Sequence, residues 1–321
     1  MQPACPYRIL PANRSVKIGR KRGRISDMKA EKDPIARAAG LACWSGRVTP
    51  EPLAGGITNK NYIVRDRGER FVVRIGDDIP VHQVMRFNEL AASRAAAVAG
   101  LSPAVIHNEP GAIVFRFIEG RTLTAEDVRQ RPMLSRILPL IRRCHVEIPK
   151  HLRGPVLIFW VFHILRDYAG SLRDAKSRSL GEVPRLLAAG AELEAMVGPI
   201  DVVFGHNDLL PGNFIDDGRR LWLIDWDYAG FNSPLFDLGN LSSNNDVAPA
   251  DERWLLETYF DRRLSPELER RYQAMKCASL LRETMWSMVS EVHSTIDFDY
   301  AAYTADYLSR FERAFAALKK S

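Results

Sequence analysis

The residues with the clearest chemical potential lie between positions 204 and 230, in the stretch FGHNDLLPGNFIDDGRRLWLIDWDYAG. Five aspartates, two asparagines and a histidine are interspersed here with apolar residues that favour burial. Because a buried carboxylate is costly unless a counter-charge or hydrogen bonds compensate it, these acids need partners. The alternative, a polar turn with solvated acids, is disfavoured by the apolar residues that flank them. The stretch therefore indicates a functional site.

The same stretch predicts a β-hairpin that would bring oxygen ligands together. NFI and RRLWLID are typical of strands, and DDG between them is typical of a tight turn. Folding this hairpin would bring Asn213 and Asp225 to its open end, with Asp208 in the loop just before it. Such hard oxygen ligands suit Mg²⁺. One carboxylate can instead accept the proton of an attacking hydroxyl, which is the division of labour in phosphoryl transfer.

The elements around this site predict an α+β chain with two lobes. NYIVRD and RFVVRIG, linked by RDRGER, predict a hairpin, and VMRFNELAASRAAAVAG predicts a helix that Gly100 would end. AIVFRFI returns to a strand pattern, and after residue 118 the periodicity becomes mostly helical, with long helices over 265–293 and 300–318. We therefore expect a strand-rich lobe at 28–118, a larger helical lobe at 119–321 and a cleft between them.

Composition and charge exclude several classes of protein. The 321 residues are 46% hydrophobic, but the longest apolar run, PVLIFWVF, is far shorter than the roughly 20 residues that a membrane-spanning helix needs. The net charge of +6 comes from residues 1–27, because the rest of the chain has 38 basic and 38 acidic residues. A nucleic-acid-binding face on the folded domain is therefore not expected.

Residues 1–27 form a basic segment without hydrophobic periodicity, which predicts a disordered tail or an upstream start with Met28 as the true first residue. A basic interaction arm is the alternative. The four cysteines lie far apart and predict free thiols in a reducing, cytoplasmic compartment. The sequence leaves open whether the protein is a monomer or a homodimer.

Several motifs, taken in order, resemble the choline/ethanolamine kinases, and more closely their bacterial relatives. They are HNDLLPGN, LIDWDYAG and PLFDLGN, together with GGITNKNY near residue 55 and FDYAAYTADYLSRF near the C-terminus. The wider group includes aminoglycoside phosphotransferases and protein kinases. The resemblance spans residues 50–315 and implies a bilobal protein kinase-like fold, with a small antiparallel-sheet N-terminal lobe and a larger helical C-terminal lobe. It also implies ATP and Mg²⁺ as cofactors.

The resemblance implies a role for each polar residue of the acidic stretch. Asp208 matches the catalytic base, which also touches the substrate, and Asn213 and Asp225 match the Mg²⁺ ligands. Asp227 matches an acidic position beside the metal and close to the substrate. Three further positions match residues that brace the catalytic loop: His206, Asp237 and Asn240.

The GGITNKNY segment predicts a lid over the phosphates of ATP. Adjacent Gly55 and Gly56 allow backbone N–H groups to approach phosphate oxygens closely, and Thr58 and Asn59 can add side-chain donors. By itself the motif is more typical of an ordinary hairpin turn. Its place in a strand lobe, well before the acidic stretch, favours the phosphate function.

Four more residues complete the expected nucleotide site. Arg74 alternates with apolar neighbours in FVVRIG and so points to the opposite face of its strand. The resemblance implies that Arg74 contacts the ATP phosphates and pairs with Glu89 of the next helix; a surface Arg and a surface Glu are the alternative. The backbone of Phe117 and Ile118, in the segment between the lobes, is implied to hydrogen-bond adenine.

The expected substrate is a small cationic alcohol. Aromatic faces bind a quaternary ammonium with about 0.5–2 kcal/mol per cation–π contact. The resemblance places Tyr228 and Trp286 at choline-binding positions, with Tyr300 as a further candidate, although all three are also typical of ordinary core residues. Glu283 and Trp286 share a helix face by their spacing.

Two departures from the family pattern leave the choice between choline and ethanolamine open. Leu210 stands where the animal choline kinases have Gln, and Glu283 stands where they have a second Trp of the choline site. The expected function is phosphorylation of choline, or else ethanolamine. The alternatives are a kinase for another amine-bearing alcohol, such as an aminoglycoside or thiamine, and a nucleotide-binding protein without turnover.

Overall fold

The structure is a computed structural model that describes residues 33–53 and 59–320. Within these ranges the strands are β1 (Glu51–Leu53), β2 (Lys60–Asp66), β3 (Glu69–Ile75), β4 (Val105–Glu109), β5 (Ala112–Arg116), β6 (Arg121–Thr122), β7 (Val203–Gly205), β8 (Phe214–Asp216), β9 (Leu221–Leu223) and β10 (Gly230–Asn232). The α-helices are α1 (Pro34–Ala39), α2 (Arg86–Val98), α3 (Ala125–Arg129), α4 (Arg131–Glu147), α5 (Val161–Asp174), α6 (Val183–Val197), α7 (Pro234–Asn245), α8 (Pro249–Phe260), α9 (Pro266–His293) and α10 (Tyr300–Leu318).

The N-terminal region contains a five-stranded antiparallel sheet in the order β1-β2-β3-β5-β4. The β2–β3 hairpin runs from the pair Lys60–Ile75 to the pair Asp66–Glu69, which confirms the hairpin prediction. Its turn residues Arg67 and Gly68 both have positive φ, 50° and 79°, as a two-residue turn matched to the strand twist requires. The sheet brings Arg74 to the side that faces the second lobe.

Helix α2 follows the sheet and fixes it to the rest of the molecule. The helix ends where predicted, with Gly100 at φ 68° just beyond it. Asn88, on its first turn, is fully buried; its amide donates to the Ala229 carbonyl at 2.8 Å and accepts from the Leu157 N–H at 2.9 Å. Both partners belong to the helical region, so α2 is a bridge between the two regions.

The C-terminal region is built around α9, which packs against α5, α6, α7 and α10. The sequence predicts one apolar stripe on this helix, but the structure buries residues all around its central turns. Helices surrounded by other helices lose the solvated face that a surface helix keeps. Arg282 and Glu283 are therefore inside the molecule, and of these two the sequence analysis singled out only Glu283.

The second predicted hairpin is also present, with a shorter second strand. Phe214 pairs with Leu223, and the turn places Gly218 at φ 82°. The Asp217 carboxylate holds this turn by accepting from the backbone N–H groups of Arg219 and Arg220, both at 2.8 Å. The strand ends before Asp225 because that residue has a φ of 69°, which is outside the range of an extended strand.

The two-region α+β organisation is thus confirmed, whereas the exact lobe boundaries stay a prediction. The predicted basic tail lies outside the described residues. Among the residues that are described, no helix is both long and apolar enough to cross a bilayer. Cys43, Cys144 and Cys277 are free thiols there.

Candidate active site

Side chains on the first turns of helix α7 form hydrogen bonds to the loop that carries Asp208. The Asp237 carboxylate accepts from the backbone N–H groups of His206 at 2.9 Å and Asn207 at 2.7 Å. The Asn240 amide oxygen accepts from the Leu209 N–H at 2.6 Å. A loop has no neighbouring strand to accept hydrogen bonds from its buried N–H groups. The side chains of Asp237 and Asn240 accept these hydrogen bonds instead, and they fix the path of the backbone on both sides of Asp208.

Two histidines add to this support. His145 lies 2.9 Å from the Asp237 carboxylate; burial acts to raise the pKa of Asp237, but the hydrogen bonds from the His145 side chain and the His206 N–H leave this pKa lowered. The ring of His206 contacts the Ile224 carbonyl at 2.9 Å and packs on Trp226. Burial lowers the pKa of His206, so the ring is a neutral link between the loop that carries Asp208 and the strand that precedes Asp225.

Asn207 is a site residue that the sequence analysis missed. It has a φ of 65°, is fully buried, and donates to the carbonyls of Tyr228 at 3.0 Å and Gly230 at 3.2 Å. Its left-handed backbone turns the chain immediately before Asp208. Asn is one of the few residues that adopt this conformation readily, so an Asn directly before Asp208 was a usable signal.

The structure brings Asp208, Asn213 and Asp225 together. The Asn213 amide nitrogen donates to the Asp208 carbonyl at 2.8 Å and lies 3.5 Å from the Asp208 carboxylate. The Ile224 N–H donates to the Asn213 carbonyl at 3.0 Å, so Asp225 follows directly beside Asn213. The charge of Asp225 also acts on Asp208, so the three residues lie around the open end of the hairpin.

The donor set of Asn213 and Asp225 fits Mg²⁺. Since the Asn213 nitrogen faces Asp208, its amide oxygen is directed away from that loop, and the Asp225 side chain keeps 22% of its exposure. The described residues contain no group of three or more His, Cys, Asp or Glu side chains that could hold a metal ion by themselves. Mg²⁺ commonly binds through one or two protein oxygens, with phosphate and water oxygens completing its shell.

Asp225 and Asp227 form ion pairs with Arg74, whereas Asp208 forms no ion pair within the described part of the chain. Burial raises the pKa of Asp208 well above its usual range; the Arg282 charge opposes this shift, and Glu283, Asp225 and Asp227 add to it. A carboxylate with a raised pKa is a better proton acceptor than a solvated one.

Arg74 joins the sheet to the acidic stretch. Its Nη1 donates to the Glu89 carboxylate at 2.6 Å, to Asp225 at 2.8 Å and to Asp227 at 3.1 Å. Burial would lower the pKa of Arg74, but the three acids raise it well above its usual value. The predicted Arg74–Glu89 pair is therefore part of a larger cluster between the two lobes.

Arg86, which the sequence analysis missed, is a second cation in this cluster. Its guanidinium donates to Glu89 at 2.6 Å, to Asp227 at 3.0 Å and to the Asn59 amide oxygen at 2.7 Å. Arg86 precedes Glu89 by three residues on α2, and this spacing was a usable signal for the pair.

Asp227 faces the N-terminal lobe in this structure. One of its oxygens accepts from Arg74 and Arg86, and the other accepts from the Asn59 amide at 2.8 Å. The side chain is 4% exposed. A contact between Asp227 and the substrate stays a prediction, and the observed partners assign it to the same cluster as the expected phosphate-binding residues.

The predicted nucleotide contacts of the inter-lobe segment and of the Gly-rich segment remain predictions. The Phe117 N–H already donates to the Arg70 carbonyl at 3.1 Å, so adenine would have to use other backbone groups, such as the Phe117 carbonyl or the Ile118 amide. Three predicted phosphate-binding residues lie outside the described residues: Gly55, Gly56 and Thr58.

The three predicted substrate-binding aromatics pack together with Tyr303, and we call this set the aromatic cluster: Tyr228, Trp286, Tyr300 and Tyr303. The Trp286 indole N–H donates to the Tyr228 hydroxyl at 2.9 Å, and its ring lies 6.1 Å from that of Tyr300 and 5.8 Å from that of Tyr303. Tyr228, Trp286 and Tyr300 are each less than 9% exposed. Most of their ring surface contacts protein.

Arg282 lies inside this cluster and was also missed by the sequence analysis. It is 2% exposed, its guanidinium lies 4.1 Å from the centre of the Tyr228 ring, and it forms an ion pair with the Glu283 carboxylate. The other Glu283 oxygen accepts from the Tyr303 hydroxyl at 3.2 Å. An adjacent Arg–Glu pair in a helix is typical of a solvated surface, so the sequence carried no signal of its burial.

Residues 51–252 match the profile of a family described as choline/ethanolamine kinase. The chain belongs to this family. Protein LicA of Haemophilus influenzae is 27% identical over 282 residues, which cover 84% of this chain and 80% of that protein. Ethanolamine kinase 2 of Mus musculus is 29% identical over 287 residues, which cover 80% of this chain and 74% of that protein. The chain is accordingly a choline/ethanolamine kinase-like phosphotransferase.

Solved structures show the same fold. A choline/ethanolamine kinase family protein from Mesorhizobium loti superposes with a TM-score of 0.69 at 27% identity, covering 89% of this chain and 98% of that one. A spectinomycin phosphotransferase superposes with a TM-score of 0.55 at 15% identity, covering 85% of this chain and 94% of that one. The prediction of a bilobal kinase-like fold is confirmed.

Proposed function

We propose that this kinase transfers the γ-phosphoryl group of Mg-ATP to the hydroxyl of choline or ethanolamine. The observation that carries the proposal is the convergence of Asp208, Asn213 and Asp225 opposite Arg74, in a chain of the choline/ethanolamine kinase family. These residues supply one proton acceptor, two oxygen ligands and one cation, which are the parts that phosphoryl transfer to an alcohol needs.

Asp208 is the proposed base. As the substrate oxygen forms its bond to the γ-phosphorus, the bond from that phosphorus to the β–γ bridging oxygen breaks, the hydroxyl proton passes to the Asp208 carboxylate and ADP leaves. The buried position of Asp208, which raises its pKa, supports this role. Asp237 and Asn240 contribute by fixing the loop on both sides of the carboxylate.

The proposed ATP site spans the two lobes. Asn213 and Asp225 would hold Mg²⁺, which when bound neutralises phosphate charge and orients the triphosphate. Arg74 would face the phosphates because its guanidinium is already between Glu89 and Asp225 at the cleft. The Gly55, Gly56, Thr58 and Asn59 segment is the proposed lid.

An ADP-release assay tests this function. The purified chain is incubated with Mg-ATP and, in parallel, with choline, ethanolamine, thiamine or kanamycin at equal concentrations, and ADP formation is measured above the rate without acceptor. We expect turnover with choline, ethanolamine or both, and little with thiamine or kanamycin. Bound ATP without turnover on any acceptor, or turnover confined to thiamine or kanamycin, would contradict the proposal.

A further inference from the structure

Arg282 occupies a position where a substrate cation would be expected to bind. Its guanidinium lies over the Tyr228 ring at 4.1 Å from the centroid and is also 5.8 Å from the centre of the Phe159 ring. A cation over an aromatic face uses the attraction that would otherwise hold a quaternary ammonium. The Tyr228 face therefore carries a cation of the protein itself.

The other aromatic faces nearby are also in use. The Trp286 ring is bordered by His82 at 5.5 Å, Tyr303 at 5.8 Å and Tyr300 at 6.1 Å, and its N–H is bonded to the Tyr228 hydroxyl. Trp286 is 6% exposed and Tyr228 is 8% exposed. Little aromatic surface is left for three methyl groups.

The groups that remain able to bind a ligand are polar. A carboxylate has about four lone-pair sites, so Glu283 retains acceptor capacity after binding Arg282 and Tyr303. Arg282 is held by this ion pair and lies over the Tyr228 ring, and a guanidinium offers no acceptor to a ligand. The Glu283 carboxylate is therefore an acceptor that remains for an N–H group of a ligand.

We propose that Arg282 is a specificity-determining residue that selects a small alcohol with a primary ammonium, such as ethanolamine, over one with a trimethylammonium group. This inference rests on the proposed function of the same site. A primary ammonium brings three N–H donors for Glu283 and needs no free aromatic face, whereas a trimethylammonium group has no N–H and needs such a face. Arg282 thereby disfavours choline by occupying the Tyr228 face, and it leaves the Glu283 carboxylate able to accept from the ammonium of ethanolamine.

The first test uses the wild-type chain and needs no variant. kcat/KM is measured for ethanolamine and for its N-methyl, N,N-dimethyl and N,N,N-trimethyl forms, the last being choline. We expect kcat/KM to fall along the series, with choline about tenfold or more below ethanolamine, as for the loss of one good polar contact. A series that rises toward choline would overturn the proposal while leaving the kinase function intact. Absence of turnover across the series would overturn both.

The second test changes Arg282 itself. Arg282→Met removes the guanidinium from the Tyr228 ring, and Arg282→Gln does so while keeping an N–H donor for the buried Glu283 carboxylate. We expect the ethanolamine-to-choline ratio of kcat/KM to fall about tenfold or more, with a much smaller change in KM for ATP. A general loss of packing would lower both substrates together and leave the ratio unchanged.

The matched control is Arg270→Met, the same substitution at an exposed position of α9. It should leave the substrate ratio unchanged. Far-ultraviolet circular dichroism and thermal unfolding establish that each variant is folded. A folded Arg282 variant with the wild-type ratio would refute the assignment, and if neither Arg282 variant folds, the wild-type methylation series still decides it.

Discussion

The acids of the site are divided between two sets of cations. Asp225 and Asp227 face Arg74, and Asp227 also faces Arg86, so these carboxylates are tied to the N-terminal lobe. Asp208 has no such partner among the described residues, and the charge that most favours its ionised form is Arg282. Substitutions in the two sets should therefore have different kinetic signatures.

Asp208→Asn should abolish proton acceptance while preserving shape and most hydrogen bonding. We expect kcat to fall by about 10²–10⁴-fold, because general base catalysis contributes about that much. The affinity for Mg-ATP should change little and can be measured by calorimetric titration. Loss of ATP binding instead would mean that Asp208 is a metal ligand rather than the base.

Asp225→Asn should produce a defect that depends on the Mg²⁺ concentration. The substitution keeps an oxygen ligand but removes its charge, so metal affinity should fall and activity should recover partly as Mg²⁺ is raised at constant ATP. The control is Asp217→Asn in the hairpin turn, where the Mg²⁺ dependence should match that of the wild type. A Mg²⁺ response of Asp225→Asn identical to the wild type would argue against metal binding there.

Single residues show how far the sequence could lead. The acids were recognisable because carboxylates among apolar residues need a partner or a metal to compensate their burial. The predicted hairpin brought Asn213 and Asp225 to the same end. Arg282 was not recognisable, because its burial depends on α9 being surrounded by other helices, and no local pattern encodes that. The position of the Arg282 guanidinium over the Tyr228 ring results from the same tertiary packing.

At the scale of elements, α7 acts as a rigid support for the loop that carries Asp208. Asp237 lies in its first turn and Asn240 one turn later, and both accept from loop N–H groups. A side chain on a helix is positioned more precisely than one on a loop, so the loop inherits the rigidity of α7.

Asn240→Ala tests this support. Removing the acceptor leaves the buried Leu209 N–H unsatisfied, and we expect a loss of about 1–3 kcal/mol in the free energy of unfolding. Because Leu209 follows Asp208, kcat should also fall, with little change in KM for ATP. Urea unfolding and steady-state kinetics measure the two effects.

The matched control for loss of stability is Ser265→Ala, which removes the N-cap acceptor of the Leu268 N–H on α9. This substitution should cost about 1 kcal/mol and leave kcat unchanged. If the two variants lower kcat equally, the effect of Asn240 is one of general stability, and the α7 support is not specific to the catalytic loop.

The hairpins could be predicted from the sequence because turn residues and β-branched runs are local signals. The length of the second strand of the β8–β9 hairpin could not, since the left-handed backbone at Asp225 ends it early. The support by α7 was implied only by family resemblance: residues 206 and 237 are distant in sequence, and their pairing is a long-range contact.

At the scale of the whole molecule, polar side chains connect the two lobes at several points. Asn88 on α2 bonds to backbone groups of the helical lobe, and Arg74 bonds to Asp225. His82 lies 3.2 Å from the Tyr168 hydroxyl on α5 and 2.9 Å from the Ser290 hydroxyl on α9. The two-lobe division was predictable from periodicity, but these contacts were not.

His82 should make the stability of the protein sensitive to acid. Burial, together with the charges of Arg282 and His293, lowers the pKa of His82 to about 3, against an ordinary value near 6.5. The unfolded chain therefore binds a proton first as pH falls, so the contribution of neutral His82 is complete above about pH 6.5 and is lost progressively below it. The expected slope is up to about 1.4 kcal/mol per pH unit for this group.

Urea unfolding at pH 7, 6 and 5 measures this effect by comparison with His82→Gln, which keeps donor and acceptor atoms but does not titrate. The wild type should lose more stability than the variant between pH 7 and pH 5. Parallel losses in the two proteins would show that His82 does not control this part of the pH dependence.

The φ of 69° at Asp225 has a consequence for how this kinase can lose its activity. The left-handed conformation is best tolerated by Gly, Asn and Asp. The backbone at position 225 therefore favours these three residues, independently of which side chain is needed to bind the metal. Asn and Gly are each one nucleotide change away from Asp. A folded descendant with a weakened metal site (Asn) or without this metal ligand (Gly), retaining both lobes and the loop support, is therefore one mutation away, whereas most other replacements at this position would disturb the fold as well.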